Sequence, residues 1–453
     1  MLPNAEERVL TTLNVDGSRR WLNPKLYPGR FFKLRLGIAL ALILIYLIVP
    51  FIKINQKPLL LLDVVSRKFT IFGKVFLPTD TLLLSLLMVG GILTIFLMTA
   101  IFGRVWCGYA CPQTVYMEFI FRPLDRLFDA KKGLGKQLGG FAAILKFLSF
   151  LLIALILAHI FLSYFVSPHE LVQWISMSPW QHPSAFLIVA FTTIAIMFDF
   201  GYFREQTCLI ACPYGRLQSV LVDRHSSIIS YDYKRGEPRK GTKNAEGEGD
   251  CVNCQKCVVT CPTGIDIREG LKMECIACTQ CVDACDSTMD KVGKPRGLIR
   301  YASQASIDGE KVKFLRPRII IYPLILAIIA SVFVSLLLNK ENTDIKLLRG
   351  MGMPFMQLQE ERISNSLRIK ITNRSDKEQQ YTLSFQAFAE ELSLSVENNP
   401  ITVKAGESLT VPFLVICKNA FFQNQDSRVI QIDVNSDNDY SESFAYKLFG
   451  PAN

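Results

Sequence analysis

CVNCQKCVVTCPTGIDIREGLKMECIACTQCVDAC, residues 251–285, holds eight of the thirteen cysteines of the chain. The pattern C-x2-C-x2-C-x3-C occurs twice in it, with thirteen residues between Cys261 and Cys275. This pattern is typical of ferredoxins with two [4Fe–4S] clusters, where the fourth cysteine of each run ligates the other cluster. The predicted ligands are Cys251, Cys254, Cys257 and Cys285 for the first cluster, and Cys275, Cys278, Cys281 and Cys261 for the second.

Two other uses of these cysteines are weighed against clusters. Zinc ribbons pair two separated C-x2-C knuckles, whereas this segment has two runs of four. Disulfide frameworks occur in small secreted domains, whereas these cysteines are locally clustered in a chain of 453 residues. Both uses are therefore less favoured than a two-cluster ferredoxin-like insert, which we assign to residues 251–300.

Five apolar segments outside this insert have about the length that crosses a bilayer, roughly 20 residues. Half of the whole chain is hydrophobic. A buried core helix is the alternative for each segment, but a poor one for five together. The sequence thus predicts a five-helix transmembrane α-bundle, with spans at 36–52, 81–103, 147–166, 184–203 and 319–338.

Lysine and arginine are distributed unevenly between the predicted loops. Residues 1–35 form a basic arm, the segment after the second span is also basic, and the loop 167–183 has neither Lys nor Arg. The loop 53–80 opposes this trend with five such residues. By the positive-inside rule we expect the N-terminus and all twelve clustered cysteines in the cytoplasm. The net charge of +10 then reflects contact with the lipid bilayer, and no nucleic-acid partner is expected.

Two further cysteine pairs follow the second and fourth spans, in WCGYACPQ and TCLIACPY. Both read C-x3-C-P, with Cys107 and Cys111 in one and Cys208 and Cys212 in the other. A residue before proline avoids the helical region and proline favours a first helical turn. We therefore expect Cys111 and Cys212 at helix starts, where the dipole favours a thiolate. If the four thiols converge, they form a copper or redox site; the alternative is two structural pairs at helix breaks.

The remaining segments have no chemical motif. Residues 204–250 are polar and glycine-rich towards their end, and are predicted to be a linker. Short alternating runs from 345 to 453 predict an immunoglobulin-like β-sandwich that serves for docking, with Cys417 as a buried structural thiol. The fold class is a multi-domain membrane protein: the α-bundle, a cytoplasmic α+β ferredoxin-like insert, and a β-sandwich on the periplasmic side.

The chain resembles the CcoG/FixG (RdxA) family of cytochrome c oxidase accessory proteins along nearly its whole length. The cysteine run alone is shared with many ferredoxins. The two C-x3-C-P pairs together with RGEPR restrict the likeness to this family and its nitrate- and nitrous-oxide-respiration relatives, and the β-domain favours this family. The matching stretches are LLDVVSRKFTIFGKVFLPTD, WCGYACPQTVYMEFIFRPLDR, EQTCLIACPYGRLQSVLVDR, YDYKRGEPRKG and DKVGKPRGLIRY.

This resemblance implies a bacterial inner-membrane protein needed to assemble the cbb(3)-type haem-copper oxidase, with reduction of Cu(II) to Cu(I) as its reaction. The implied partners are oxidase subunits or copper chaperones and transporters, together with an unknown electron donor; a homodimer is left open. Two alternatives remain. One is an electron-transfer subunit of a quinol- or ferredoxin-linked respiratory chain, and the other is a non-catalytic assembly factor for the oxidase.

Overall fold

The computed structural model divides into two compact units, Met1–Val334 and Ser335–Asn453. The described residues are 11–14, 16, 18–54, 57–65, 68–76, 80–129, 133–241, 249–270, 272–311, 316–339, 343–350, 352–359, 362–375, 377–385, 387–388, 390–422, 425–437 and 440–451.

The described residues include five helices long and apolar enough to cross a membrane, as predicted. At most 28% of the residues in the most apolar stretch of any of them are buried in protein. The other side chains, mostly aliphatic, face outward, which suits a lipid environment. The chain is therefore a multi-pass membrane protein. Spans 1 to 5 are Arg30–Phe51, Thr81–Phe102, Phe141–Leu162, Pro183–Phe203 and Pro317–Leu338.

Spans 1 and 3 begin six residues before their predicted starts at 36 and 147. The carboxylate of Asp283, on a helix of the ferredoxin insert, accepts hydrogen bonds from the Phe31 and Phe32 amides at 3.2 and 2.7 Å. These amides belong to the first turn of span 1, where no carbonyl of the same helix is available to them. The cap comes from a residue about 250 positions away, so hydropathy alone could not reveal it.

The loop between spans 1 and 2 folds into two small antiparallel sheets. The turn between its last two strands is Phe72–Gly73, and both residues have positive φ, 50° and 74°. That backbone matches the twist of a tight hairpin and favours glycine. The strands are β1 Lys53–Ile54, β2 Lys57–Pro58, β3 Leu60–Asp63, β4 Lys68–Ile71 and β5 Lys74–Phe76.

Aromatic packing fixes the spans at the end that carries the cysteine motifs. The ring of Phe121 stacks on Phe200 of span 4 at 4.4 Å and meets Phe150 of span 3 edge-on at 4.9 Å. Phe121 lies in the broken helical segment that follows span 2 and turns back against the bundle. Its helical pieces are Val105–Tyr109, Pro112–Tyr116, Met117–Phe121, Arg122–Leu127 and Gly133–Leu138.

The prediction of a linker at 204–250 is wrong for most of its length. Strand β6, Ile228–Tyr231, is buried throughout and pairs antiparallel with β7, Ile299–Ala302. This ribbon encloses the cysteine runs, so the ferredoxin-like domain begins well before 251 and its helix Gln304–Ile307 lies beyond 300. The partner strand of β6 lies about 70 residues away, which a composition argument cannot detect. Residues 242–248 of the predicted linker lie outside the described residues.

The basic arm also packs on this domain instead of lying free. The Lys25 amide donates to the Val259 carbonyl at 3.1 Å, and Thr260 Oγ1 donates to the Lys25 carbonyl at 2.7 Å. Leu22 is buried against Gly264, whose φ is +72° and where an added Cβ would come within 2.8 Å of the leucine. The Lys25 residue is itself exposed, so contact of the basic residues with lipid head groups stays a prediction; residues 1–10 lie outside the described part.

The second unit is a sandwich of two antiparallel sheets with orders β12-β14-β10-β8, where β9 also pairs with β10, and β13-β11-β15-β16. Alternation in β14 buries Phe413, Val415 and Cys417, which confirms that Cys417 is a buried thiol. The strands are β8 Thr343–Arg349, β9 Met356–Leu358, β10 Arg362–Asn373, β11 Gln379–Phe385, β12 Leu392–Val396, β13 Ile401–Val403, β14 Ser408–Lys418, β15 Ser427–Ser436 and β16 Ser441–Phe449.

Candidate metal centre

The eight cysteines of the ferredoxin-like domain line two small cavities. The structure brings together the two sets of four that the sequence predicts, and Cys257 also reaches the wall of the second cavity. Site I is lined by Cys251, Cys254, Cys257 and Cys285, and site II by Cys261, Cys275, Cys278 and Cys281.

The loops around the two sites repeat the same unusual backbone. Asn253 and Gln255 in the first run have φ of 55° and 56°, and Ala277 and Thr279, 24 positions later, have 54° and 59°. Left-handed conformations at non-glycine residues cost about 1 kcal/mol each or more and persist where the surroundings enforce them. Alternation of right- and left-handed residues makes concave rows of amide N–H groups that suit anionic groups such as iron–sulfur clusters.

The thiols themselves need a positively charged partner. Burial raises the pKa of Cys257, Cys278 and Cys285 to about 12, so the thiolate form needs a positively charged ligand. Each cavity is lined by four cysteines that combine three from one run with the fourth from the other, which is the donor set of paired [4Fe–4S] clusters.

Site II lies directly against the membrane helices. Gly108, between the cysteines that follow span 2, packs on the loop between Cys275 and Cys278: an added Cβ would lie 2.5 Å from the Ala277 carbonyl oxygen. Such an approach admits only glycine. Tyr109 and Thr279 share a hydrogen bond of 3.2 Å between their hydroxyls beside this contact.

A buried arginine of span 1 stands next to site II. The Arg35 side chain is 1% exposed, and its Nε donates to the Gly108 carbonyl at 2.9 Å. Its two terminal nitrogens are buried and have no hydrogen-bond partner within the described part of the chain. Burial raises the pKa of Cys278, and the charge of Arg35 acts to lower it. Two terminal nitrogens without a described hydrogen-bond partner, on a positively charged side chain beside these thiols, are a further fit to an anionic cluster.

A second buried charge network ties the membrane segment to the ferredoxin helix Gln280–Lys291. Glu118 pairs with Arg122, and its other oxygen accepts a hydrogen bond from Gln280 Nε2 at 3.0 Å. Burial acts to raise the pKa of Glu118, but Arg122 and Arg35 outweigh it and hold the pKa below its usual value. The sequence analysis missed Arg35, Glu118 and Arg122, because arginines beside a span look like topology signals.

Site I has more open and more polar surroundings. Cys254 is exposed. Arg268 forms an ion pair of 2.6 Å with Asp266 and donates to Asn253 Oδ1 at 2.7 Å. Hydrogen bonding to Asp266 raises the pKa of Arg268, and the thiols of Cys257 and Cys251 act in the same direction.

The C-x3-C-P cysteines occupy the predicted helix starts. Cys111 has extended backbone, φ −66° and ψ 125°, directly before Pro112–Tyr116, and Cys212, φ −73° and ψ 113°, directly precedes Pro213–Leu221. At Cys111 the helix start does favour a thiolate, as expected, but burial opposes it. Burial raises the pKa of Cys111 and outweighs the amide hydrogen bonds from Thr114 and Gln113 that lower it.

Three family models match this chain. A 4Fe-4S dicluster domain matches residues 203–304, a 4Fe-4S binding domain matches 84–134, and an IG-like fold at the C-terminus of FixG matches 333–451. The protein RdxB of Cereibacter sphaeroides is 33% identical over 436 residues, which cover 89% of this chain and 90% of RdxB. The chain belongs to the FixG/RdxA family.

Other members of the FixG/RdxA family match over similar lengths. The protein RdxA of Cereibacter sphaeroides is 31% identical over 388 residues, covering 81% of this chain and 82% of RdxA. The nitrogen fixation protein FixG of Rhizobium meliloti is 29% identical over 423 residues, covering 81% and 79%. A crystal structure of a FixG-related protein from Vibrio parahaemolyticus aligns with 24% of this chain and 97% of its own, at 16% identity and a TM-score of 0.22.

The matches agree with the structure on the composition of this FixG/RdxA-family protein. It is a multi-pass membrane protein that carries iron–sulfur binding domains and transfers electrons, and residues 333–451 match an immunoglobulin-like domain. The dicluster match starts at residue 203 and so includes β6, in agreement with the correction of the predicted linker.

Proposed function

We propose that this protein holds two [4Fe–4S] clusters in sites I and II and reduces Cu(II) to Cu(I) for assembly of a cbb(3)-type oxidase. The observation that carries the proposal is the contact of Gly108 with the Ala277 carbonyl. It seats a ferredoxin-type site directly on the membrane domain, which supports transfer of electrons from that site to a copper acceptor at the membrane.

When bound, each cluster supplies one-electron transfer, so that one electron leaves it for each Cu(II) that becomes Cu(I), and a low-potential donor outside the chain replaces that electron. The residues hold and tune this carrier. The eight cysteines fix it, and the amide rows around Asn253 and Ala277 offset its negative charge. Arg35 places a positive charge beside site II, the site nearer the membrane.

We place both sites on the cytoplasmic side of the inner membrane, and the β-domain in the periplasm. The Lys/Arg distribution supports this orientation. So do the contacts of the ferredoxin-like domain, which touches the segment before span 1 at Lys25 and the segment after span 2 at Gly108. Both segments lie on one side of the membrane when two spans separate them. A cytoplasmic location of that side agrees with the chemistry, because a reducing compartment keeps thiols available to metals.

For partners, we propose that the β-domain docks oxidase subunits or copper chaperones and transporters, while the donor binds near site I, where Cys254 is exposed. The name of the relative FixG associates that protein with nitrogen fixation. An electron-transfer subunit of another respiratory chain is therefore the second candidate. A Cu(II)-dependent reaction of the isolated protein separates the two.

The test is a single-turnover reaction of the anaerobically purified protein. After reduction with dithionite and removal of the excess, Cu(II) is added together with a Cu(I)-specific chelator. We expect about one Cu(I) per reduced cluster, with loss of the paramagnetic resonance of the reduced clusters at the same rate. Zn(II), which accepts no electron, is the matched control. Clusters that stay reduced in the presence of Cu(II) would overturn the proposal.

A further inference from the structure

The ends of spans 2 and 4 are held side by side by hydrogen bonds on both flanks of their cysteine motifs. Before the first motif, Thr99 Oγ1 lies 2.6 Å from the hydroxyl of Tyr214, a residue that follows the second motif. After the first motif, Gln113 Nε2 donates to the Arg204 carbonyl at 3.1 Å, before the second motif. Two segments about 100 residues apart are thus joined at both ends, which brings their four cysteines together.

The electrostatic coupling between these thiols shows the same convergence. Burial raises the pKa of Cys208, and the nearby thiols of Cys111, Cys107 and Cys212 raise it further. Cys212 also acts to raise the pKa of Cys111. Each of the four therefore belongs to one half-buried group. Gly215 completes its wall, since an added Cβ there would lie 2.8 Å from the Cys208 carbonyl oxygen.

The family match to a 4Fe-4S binding domain at 84–134 indicates what this group of thiols binds. That range contains two cysteines, Cys107 and Cys111, whereas a [4Fe–4S] cluster takes four cysteine ligands. The fold brings Cys208 and Cys212 to the same place. We propose that Cys107, Cys111, Cys208 and Cys212 together ligate a third [4Fe–4S] cluster, at the membrane end of the electron path.

This third site lies next to site II and is linked to it by a backbone contact. Gly108, which follows one of its ligands, packs on Ala277 between two ligands of site II. An electron leaving site II therefore crosses one backbone contact to reach it. The inference rests on the proposed function in treating the chain as an iron–sulfur carrier, but it holds whether or not copper is the acceptor.

The test measures iron and acid-labile sulfide in the full-length protein. The protein is purified anaerobically and reconstituted with iron and sulfide. Three clusters give about twelve irons per chain and two give about eight. The double variants C107S/C111S and C208S/C212S should each lose about four irons and keep the paramagnetic resonance of the two ferredoxin clusters, which also reports that they fold. C417S, with a buried thiol in the β-domain, should lose none.

A wild-type value of about eight irons, or double variants that keep all twelve, would overturn the third cluster. Copper bound at about one equivalent in place of the missing iron would overturn it as well. If both double variants failed to fold, the wild-type iron count would still decide. None of these measurements uses copper reduction, so a failure here and a failure of the proposed function can be told apart.

Discussion

Sites I and II have the same cysteine spacing and the same left-handed backbone positions, but opposite surroundings. Site I includes an exposed cysteine, Cys254, and lies beside the ion pair of Asp266 and Arg268. Site II lies under the membrane segment, against Gly108 and the buried charge of Arg35. The local sequence thus gives the two sites similar ligand spacing and backbone, and the neighbouring residues give them different exposure and charge.

This difference predicts the direction of electron transfer between the two sites, from site I to site II. An exposed site suits electron exchange with a donor protein, whereas a site in backbone contact with the membrane segment suits transfer onward. If the assignment holds, damage to site II stops delivery to copper, and damage to site I stops only loading by a donor.

The largest expected effect comes from the matched variants C254S and C278S, each of which removes one ligand from one site. After chemical reduction and removal of the reductant, we expect C278S to slow Cu(I) formation by electrons from site I by more than roughly tenfold, because site II is the site in contact with the membrane segment. C254S should yield fewer Cu(I) per chain at a rate within about twofold of wild type. Stopped-flow absorbance of a Cu(I) chelator measures both, and equal slowing by the two variants would contradict the direction.

The second prediction concerns the contact itself. G108A places a Cβ 2.5 Å from the Ala277 carbonyl oxygen, and overpacking of this kind costs roughly 1–3 kcal/mol. We expect a lower thermal midpoint in detergent and slower Cu(I) formation, with iron content unchanged. The matched control is G91A in span 2, where an added Cβ meets no other atom of the described residues within 4 Å. If G108A and G91A formed Cu(I) at the same rate, electrons would not pass through the contact between Gly108 and Ala277.

The third prediction separates the two sites by charge. R35Q removes a positive charge beside site II and should make its reduction potential more negative by on the order of 50–100 mV, because reduction adds negative charge there. R268Q should do the same to site I. Redox titration followed by paramagnetic resonance resolves the two. R35K should restore most of the potential of site II, which a purely structural role for Arg35 would not require.

The parts of this picture that the sequence predicts depend on local patterns. Eight cysteines at fixed spacing, and apolar runs of span length, carry their meaning within a few dozen residues, so sites I and II and the five spans could be predicted. Strand β6 was missed because its partner, β7, lies about 70 residues on. Arg35 was interpreted as a flanking charge, since only the fold shows that Gly108 and Cys278 surround it.

The smallest expected effect tests whether a buried thiol outside the cysteine motifs contributes to iron binding. Burial raises the pKa of Cys417 to about 11, close to the value at Cys275 in site II, yet Cys417 packs among the aliphatic side chains of the β-sandwich. C417A deletes one sulfur from a packed core, so we expect a loss of about 1–2 kcal/mol in the stability of that domain. Iron content and both potentials should stay at wild-type values. A thermal melt and an iron assay on the full chain check this. If C417A lost iron, a buried thiol outside the cysteine motifs would contribute to iron binding, which would contradict the assignment of the ligands from the motif spacing.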